Sequence, residues 1–241
     1  RIIIEGEFES RNYVEMTIHM LMHFGIEVTL ESNQILIKGN QSYKANDYYI
    51  EGDYSQLAFF AVAGVLNGNI TCKGMNLLSI QGDKSIIDTL KNMVAQIEVL
   101  EDGYIFKKCL TLGKEINVSQ IPDLEPIIGL LASLSVGVTV IKGTKRLKLK
   151  ESNRLLTTFN TLKELGAKVE IVNDDLVIEG STELGGGILE SYNDHRIAMM
   201  GSIASVKATK DITILQAEAV NKSYPKFYED LLKLNAKLRI E

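Results

Sequence analysis

Four stretches of this chain repeat one pattern at nearly even intervals, and that periodicity limits the fold more than any other feature. His23 to Gly39, Met93 to Lys107 and Glu164 to Gly180 each read as the end of an amphipathic helix, a short strand, a polar turn and a second strand. Leu234 to Glu241 begins a fourth copy. Aligned on Glu27, Glu98, Glu170 and Arg239, the steps are 71, 72 and 69 residues. The turns Ser32-Asn33, Glu101-Asp102-Gly103 and Asn173-Asp174-Asp175 hold the residue types that hairpins favour.

Further elements are predicted between the hairpins. Tyr49-Ile50-Glu51 reads as a strand, followed by a helix from Gln56 to Leu66, a strand from Asn69 to Lys73 and a helix from Lys84 to Val94. Each unit is therefore about βαβαββ, an α/β (α+β) pattern whose copies close on one another to bury their helices. The best domain seam is the polar stretch Gln41 to Tyr49, ahead of Glu51-Gly52-Asp53.

Composition excludes several classes. The longest apolar run, Ile127 to Ile141, is interrupted by Ser133 and Ser135, so it reads as a buried helix and a strand rather than a membrane span. No charged start followed by an apolar stretch reads as a signal peptide. A net charge of −5 argues against a general nucleic-acid or anionic-membrane surface. Cys72 and Cys109 have no metal or redox spacing, which fits reduced thiols in the cytoplasm. The chain opens on Arg1-Ile2-Ile3-Ile4 without a methionine, so it reads as a piece of a longer protein.

Chemistry concentrates at four strand-to-helix junctions. These are Val118 to Pro126, Arg146 to Arg154, Glu190 to Arg196, and Val220 to Pro225. Ser152, Asn193 or Asp194, and Ser223 are natural helix caps, and Pro225 suits a first turn. Helix starts present free N–H groups, so several that converge make an anion site. Lys150, Arg154, Arg196 and Lys222 lie at these starts, where the helix dipole disfavours positive charge, so a ligand is the better reason for them. Asp123 and Glu151 lie among the cations, which suits a small, multiply charged substrate with proton transfer beside it.

Blander readings apply to other features. A lone Asp before a helix is ordinarily a cap. Arg146, Lys148 and Lys150 alternate and so are predicted to share one strand face, ordinarily a solvated one. His19 and His23 are four apart but lack the Glu and third ligand of a zinc site, so no metal is expected. Gly185-Gly186-Gly187 reads as a turn.

At these junctions the chain resembles the EPSP synthase family over essentially its whole length. Lys150-Glu151-Ser152-Asn153-Arg154 is similar to the family's Lys-Glu-(Ser/Thr)-Asp-Arg, and Tyr192-Asn193-Asp194-His195-Arg196 to its Asn-Asp-His-Arg. Ile121-Pro122-Asp123, Glu51-Gly52-Asp53-Tyr54-Ser55 and Asn221-Lys222-Ser223-Tyr224-Pro225 follow in matching order. The resemblance implies the enolpyruvyl transferase fold, two domains of βαβαββ units in pseudo-threefold arrangement. Residues 1–50 would be the last unit of the N-terminal domain and residues 51–241 most of the C-terminal domain. It implies transfer of an enolpyruvyl group from phosphoenolpyruvate to the 5-hydroxyl of shikimate 3-phosphate, without cofactor, by a cytoplasmic enzyme that is monomeric when full-length. By itself the present chain would be inactive.

The resemblance also implies roles. Asp123 holds the shikimate hydroxyls and takes a proton, while Glu151 protonates the phosphoenolpyruvate methylene with Lys222 assisting or competing. Arg154 and Arg196, with Lys222, bind phosphoenolpyruvate, and Ser10, Tyr13, Asp123 and Lys150 bind shikimate 3-phosphate. Asn193, Asp194 and His195 support them. Asn153 departs from the usual Asp, and Asn12 stands where Pro is common. Two alternatives remain at this point: the related transferase acting on UDP-N-acetylglucosamine, and a non-catalytic anion-binding repeat protein.

Overall fold

The computed structural model describes residues 1–239; Ile240 and Glu241, the end of the expected fourth hairpin copy, lie outside the described residues. Four groups of elements follow one another. The first comprises β1 (Ile2–Ile3), α1 (Arg11–His23), β2 (Val28–Leu30) and β3 (Gln34–Ile37). The second comprises α2 (Tyr54–Asn67), β4 (Ile70–Lys73), α3 (Ile86–Asn92), β5 (Gln96–Leu100) and β6 (Gly103–Lys107). The third is β7 (Glu115–Asn117), α4 (Glu125–Ser133), β8 (Val138–Lys142), α5 (Arg154–Glu164), β9 (Lys168–Val172) and β10 (Asp175–Glu179). The fourth is β11 (Gly187–Glu190), α6 (His195–Ala204), β12 (Ile212–Leu215) and α7 (Phe227–Lys233).

The repeat is real, and its third group is a complete βαβαββ unit. Its sheet runs β7-β8-β10-β9, with β7 parallel to β8 and the β9–β10 hairpin antiparallel beside it. Leu176 and Ile178 of β10 are buried while their neighbours are not, the period of two that a one-sided strand requires. Asn173 and Asp174 take φ values of 52° and 68° at the hairpin turn, the left-handed pair that matches strand twist.

The sheets are backed by helices that are apolar on every side. All of α4 is buried, as are Tyr54 to Leu66 of α2 except Gln56, and nine of the ten residues of α6. A helix with no polar stripe belongs in an interior. These three pack on one another, each against its own sheet, and one hydrophobic cluster runs from Tyr54 to Leu231. The first group stands outside that cluster, with only Ile18, Ile26 and Ile35 buried among its apolar residues.

Several local expectations are corrected. Tyr49 to Glu51 carry no strand, so the second group lacks the opening strand of its unit, and Leu234 to Arg239 carry none either. Lys145–Leu149 form a 3₁₀ helix rather than a strand, so Arg146 and Lys148 point apart. Ser152 does not cap α5, because its hydroxyl is given to Asp194; Asn153 accepts from the Leu156 N–H instead. Ser223 and Pro225 do not open α7, which begins at Phe227 after Lys226. The Tyr224 N–H bonds back to the Val220 carbonyl, and that turn delays the helix.

The end of β10 is unusually close to the chain before β8. A Cβ on Gly180 would lie 1.5 Å from the Ser135 carbonyl oxygen, with backbone rather than a movable side chain in the way. Gly180→Ala is expected to destabilise the fold by about 3 kcal/mol, the upper range for overpacking. Calorimetric melting checks this, and an unchanged melting temperature would contradict the packing described.

Candidate functional site

Three of the four expected junctions converge. Asp123 sits in the 3₁₀ turn Pro122–Leu124 that feeds α4; Glu151 and Arg154 lie at the start of α5; Asp194 caps α6 by accepting the Arg196 N–H at 2.9 Å. Tyr192 and Asn193, with φ of 54° and 52°, turn the chain sharply just before that cap. Asp53 caps α2, accepting from the Ser55 and Gln56 N–H groups.

Arg154 is the centre of the cluster and is fully buried. Its Nε donates to Asp194 Oδ2 at 3.1 Å and its Nη2 to Asp194 Oδ1 at 3.2 Å, a side-on bidentate pair. Nη1 donates to Asp123 Oδ1 at 2.8 Å, and Nη2 also reaches Glu151 Oε2. Lys150 Nζ stands 3.0 Å from the same Asp123 oxygen. Arg196 donates from Nη1 and Nη2 to the Ser55 carbonyl and hydroxyl, at 3.2 and 2.9 Å, and its Nη2 is 3.6 Å from Asp123 Oδ2. Arg196 Nε is buried without a hydrogen-bond partner.

Charge states follow from this geometry. Burial opposes ionisation of Asp123, but Arg196, Lys150 and Arg154 outweigh it and hold the carboxyl down to about 2. Burial likewise opposes ionisation of Asp194, yet Arg154 keeps it below the usual carboxylate range. Burial lowers His195, aided by Arg196, so the ring is neutral at pH 7; its Nδ1 is 3.9 Å from Glu151 Oε1 and unpartnered.

The remaining expected residues are more peripheral. Lys222 is exposed and donates to the Asn193 carbonyl, not to Glu151 or Asp123. Ser10 takes φ 53° and accepts from Arg146 Nη1 at 2.8 Å, while Glu9 pairs with Arg146 Nε at 3.2 Å. The Tyr13 hydroxyl donates to Asp83, near enough to Asp123 and Arg196 for both to bear on its ionisation, which burial pushes well up. His23 Nε2 lies 2.8 Å from the Asp47 carbonyl. Among the described residues no His, Cys, Asp and Glu group is arranged for a metal, and no helix is long and apolar enough to cross a membrane.

Sequence reasoning missed three parts of the cluster. Ser55 was visible only as a motif letter, although it carries Arg196. Asp83, whose carboxyl burial pushes up to about 6, and Glu125, which is fully buried, had no local signal. Cavities of about 430 and 380 Å³ lie elsewhere, the first against α5 and β11, the second between α2 and the Tyr224 segment. Neither is lined by residues of the charged cluster.

Comparisons with known proteins give the family and the fold. The family model described as EPSP synthase (3-phosphoshikimate 1-carboxyvinyltransferase) matches residues 1–231, and the chain belongs to that family. It is 48% identical over 234 residues to a 3-phosphoshikimate 1-carboxyvinyltransferase of Clostridium acetobutylicum, covering 97% of this chain and 54% of the relative. A second, from Clostridium novyi, is 44% identical with the same two coverages. An EPSP synthase structure from Acinetobacter baumannii superposes with TM-score 0.78 at 28% identity, over 93% of this chain and 55% of that one. The enolpyruvyl transferase NikO from Streptomyces tendae shares the fold, at TM-score 0.75 and 20% identity over 94% of this chain and 53% of that one. The chain thus spans about half the length of the curated relatives it matches.

Removing Asp194 should strand Arg154. Asp194→Ala leaves a buried guanidinium without its bidentate partner and is expected to cost about 3–5 kcal/mol of stability. Denaturant unfolding measures this, and a loss below about 1 kcal/mol would mean that Asp123 and Glu151 suffice.

Proposed function

We propose that this chain carries the C-terminal part of an active site that transfers the enolpyruvyl group of phosphoenolpyruvate to the 5-hydroxyl of shikimate 3-phosphate, with loss of phosphate. The carrying observation is Arg196, buried beside Asp123 at a helix start with its Nε unpaired. A buried guanidinium edge without a partner is costly unless an anion completes it. Arg154 by contrast has four of its five N–H groups committed to carboxylates. Arg196 is therefore the first arm to an incoming phosphate or carboxylate, and Arg154 the second, through its remaining Nη1 hydrogen.

The chemistry divides between the carboxylates. The acceptor oxygen adds to the substituted enol carbon, its proton passing to Asp123, while the methylene carbon gains a proton from Glu151. Phosphate then leaves with the shared electron pair, and the methyl carbon returns its proton. Asp123 is a weak base while Lys150 and both arginines face it; a substrate phosphate that draws these cations away raises its basicity. Glu151, inside the cluster, is better placed as the acid than Lys222, which bonds to Asn193. Ser10 and Tyr13 are read as shikimate 3-phosphate contacts, reached through Arg146 and Asp83. Asn193 and His195 are read as supporting residues, the Asn193 N–H donating to the Ser191 hydroxyl at 3.1 Å within the turn and His195 buried at the start of α6. The balance requires no cofactor. The family match favours this acceptor over UDP-N-acetylglucosamine. We read residues 1–50 as belonging to an N-terminal domain and 51–241 to the C-terminal one, in a protein that acts as a cytoplasmic monomer.

Steady-state kinetics in the full-length enzyme separate the two roles. Arg196→Lys should raise the Michaelis constant for phosphoenolpyruvate by about 30-fold, since a fork becomes a point charge worth about 2 kcal/mol less. Glu151→Gln should keep that constant and lower turnover by about 10²–10⁴. An unchanged Michaelis constant in the first or unchanged turnover in the second removes the assigned role.

Residues 1–241 alone should release no phosphate from the two substrates. In-line holding and water exclusion are worth roughly 7–11 kcal/mol and need a site closed on all sides. A phosphate-release assay on this chain, alone and mixed with the separately produced N-terminal portion, checks this. Turnover by the chain alone would refute the half-site reading.

A further inference from the structure

Glu125 is the first residue of α4 and has no solvent exposure. Its Oε2 accepts from the Thr158 hydroxyl at 2.8 Å, and its Oε1 has no partner. Thr158 lies one turn beyond Arg154 on α5, so the two share a face of that helix. The approach of α4 to α5 is close: a Cβ on Gly129 would stand 3.4 Å from the Thr158 methyl group. That packing sets the Thr158 hydroxyl against Glu125, which is closed off from the solvent. A carboxylate with one donor and one orphaned oxygen in such a place is a poor ion and a tolerable acid.

The charge count of the neighbouring cluster gives this placement meaning. Lys150, Arg154 and Arg196 face Asp123, Glu151 and Asp194, three cations against three carboxylates. We propose that Glu125 is a positioning residue of the anion site: as the neutral acid it leaves Arg154 and Arg196 free to serve a bound anion, and its ionisation adds a fourth negative charge that withdraws them. The inference rests on the reading of that cluster as an anion site.

The groups around Glu125 support a neutral state at physiological pH. Burial pushes its carboxyl up to about 8, against the Thr158 bond and the pull of Arg154, with Asp194 adding to the push. Arg154 comes from α5; Asp194, His195 and Arg196 come from α6; Asp123 lies on the turn before α4. No charged residue lies on α2, whose Tyr54 is bonded to Tyr104. The charged residues of β8 and β10 are Lys142, Asp175 and Glu179; Lys142 pairs with Glu115 and Glu179 with Lys168. A carboxyl raised in the fold holds a proton that the unfolded chain has lost, so its contribution to stability declines as pH rises from about 4.5 to about 8.

The test is calorimetric titration with phosphoenolpyruvate and with inorganic phosphate from pH 6.5 to 9, on the wild-type protein and on Glu125→Gln. The amide keeps the Thr158 contact and cannot ionise. Wild-type affinity should fall about 3- to 10-fold more than that of the variant across pH 8, while the two match near pH 6.5. The wild-type melting temperature should also fall between pH 5 and 8 relative to the variant. Thr158→Val removes the donor that favours the ion and should move the wild-type midpoint higher, which keeps the idea testable if Glu125→Gln folds poorly. Anion binding with parallel pH profiles in all three proteins overturns the role of Glu125 and leaves the site intact. Failure of either anion to bind at any pH overturns the anion-site reading, and this inference with it.

Discussion

Because the Arg154 guanidinium is fully buried, carboxylates of the protein balance most of its N–H groups, and this requirement ties the site together. Its carboxylates arrive from the turn before α4, the start of α5 and the cap of α6. Three helix starts are thereby drawn to one point. The apolar packing of α4, α5 and α6 brings these starts near one another, and the ionic cluster joins them. Stability and function meet in one side chain: of the three carboxylates that neutralise Arg154, two, Asp123 and Glu151, are proposed to move protons, and the third, Asp194, holds the guanidinium in place.

The neutralisation also shapes the chemistry on offer. Asp123 is held ionised by cations on two sides, while Glu125, two residues later, is kept from ionising by enclosure. The same short turn therefore presents carboxyls in opposite states. Neither the residue type nor the position in a helix first turn distinguishes them; the surroundings supplied by α5 and α6 do.

Much of the fold could be read along the chain because its signals are local. The β9–β10 hairpin announces itself by period-two burial and by Asn173-Asp174 at a turn that needs left-handed backbone. The helices α2, α4 and α6 announce themselves by unbroken apolar runs. Errors arose where a distant partner outbid the local pattern. Ser152 looked like a cap until Asp194, 42 residues on, claimed its hydroxyl. Arg146 and Lys148 looked like one strand face, yet Arg146 turns to Glu9 and Ser10 and Lys148 to Asp174. In the site, Asp123, Glu151, Arg154 and Arg196 were legible because cations at helix starts are out of place without a purpose. Ser55, Asp83 and Glu125 were not, since each matters only through residues far away in sequence.

One short stretch of the first group of elements holds to residues beyond 50. Phe8, Glu9, Ser10, Arg11, Asn12 and Tyr13 provide its hydrogen bonds and ion pairs to Gln120, Arg146, Ile80 and Asp83. The stretch takes in the first turn of α1, and the rest of that helix, through His23, extends about 15 Å beyond it. Mechanically this is a lever with its fulcrum beside the charged cluster. The far end holds to the segment that leads on to α2, Phe24 accepting from the Lys44 N–H at 2.8 Å and His23 Nε2 lying 2.8 Å from the Asp47 carbonyl, so a tilt about the fulcrum would carry that segment with it.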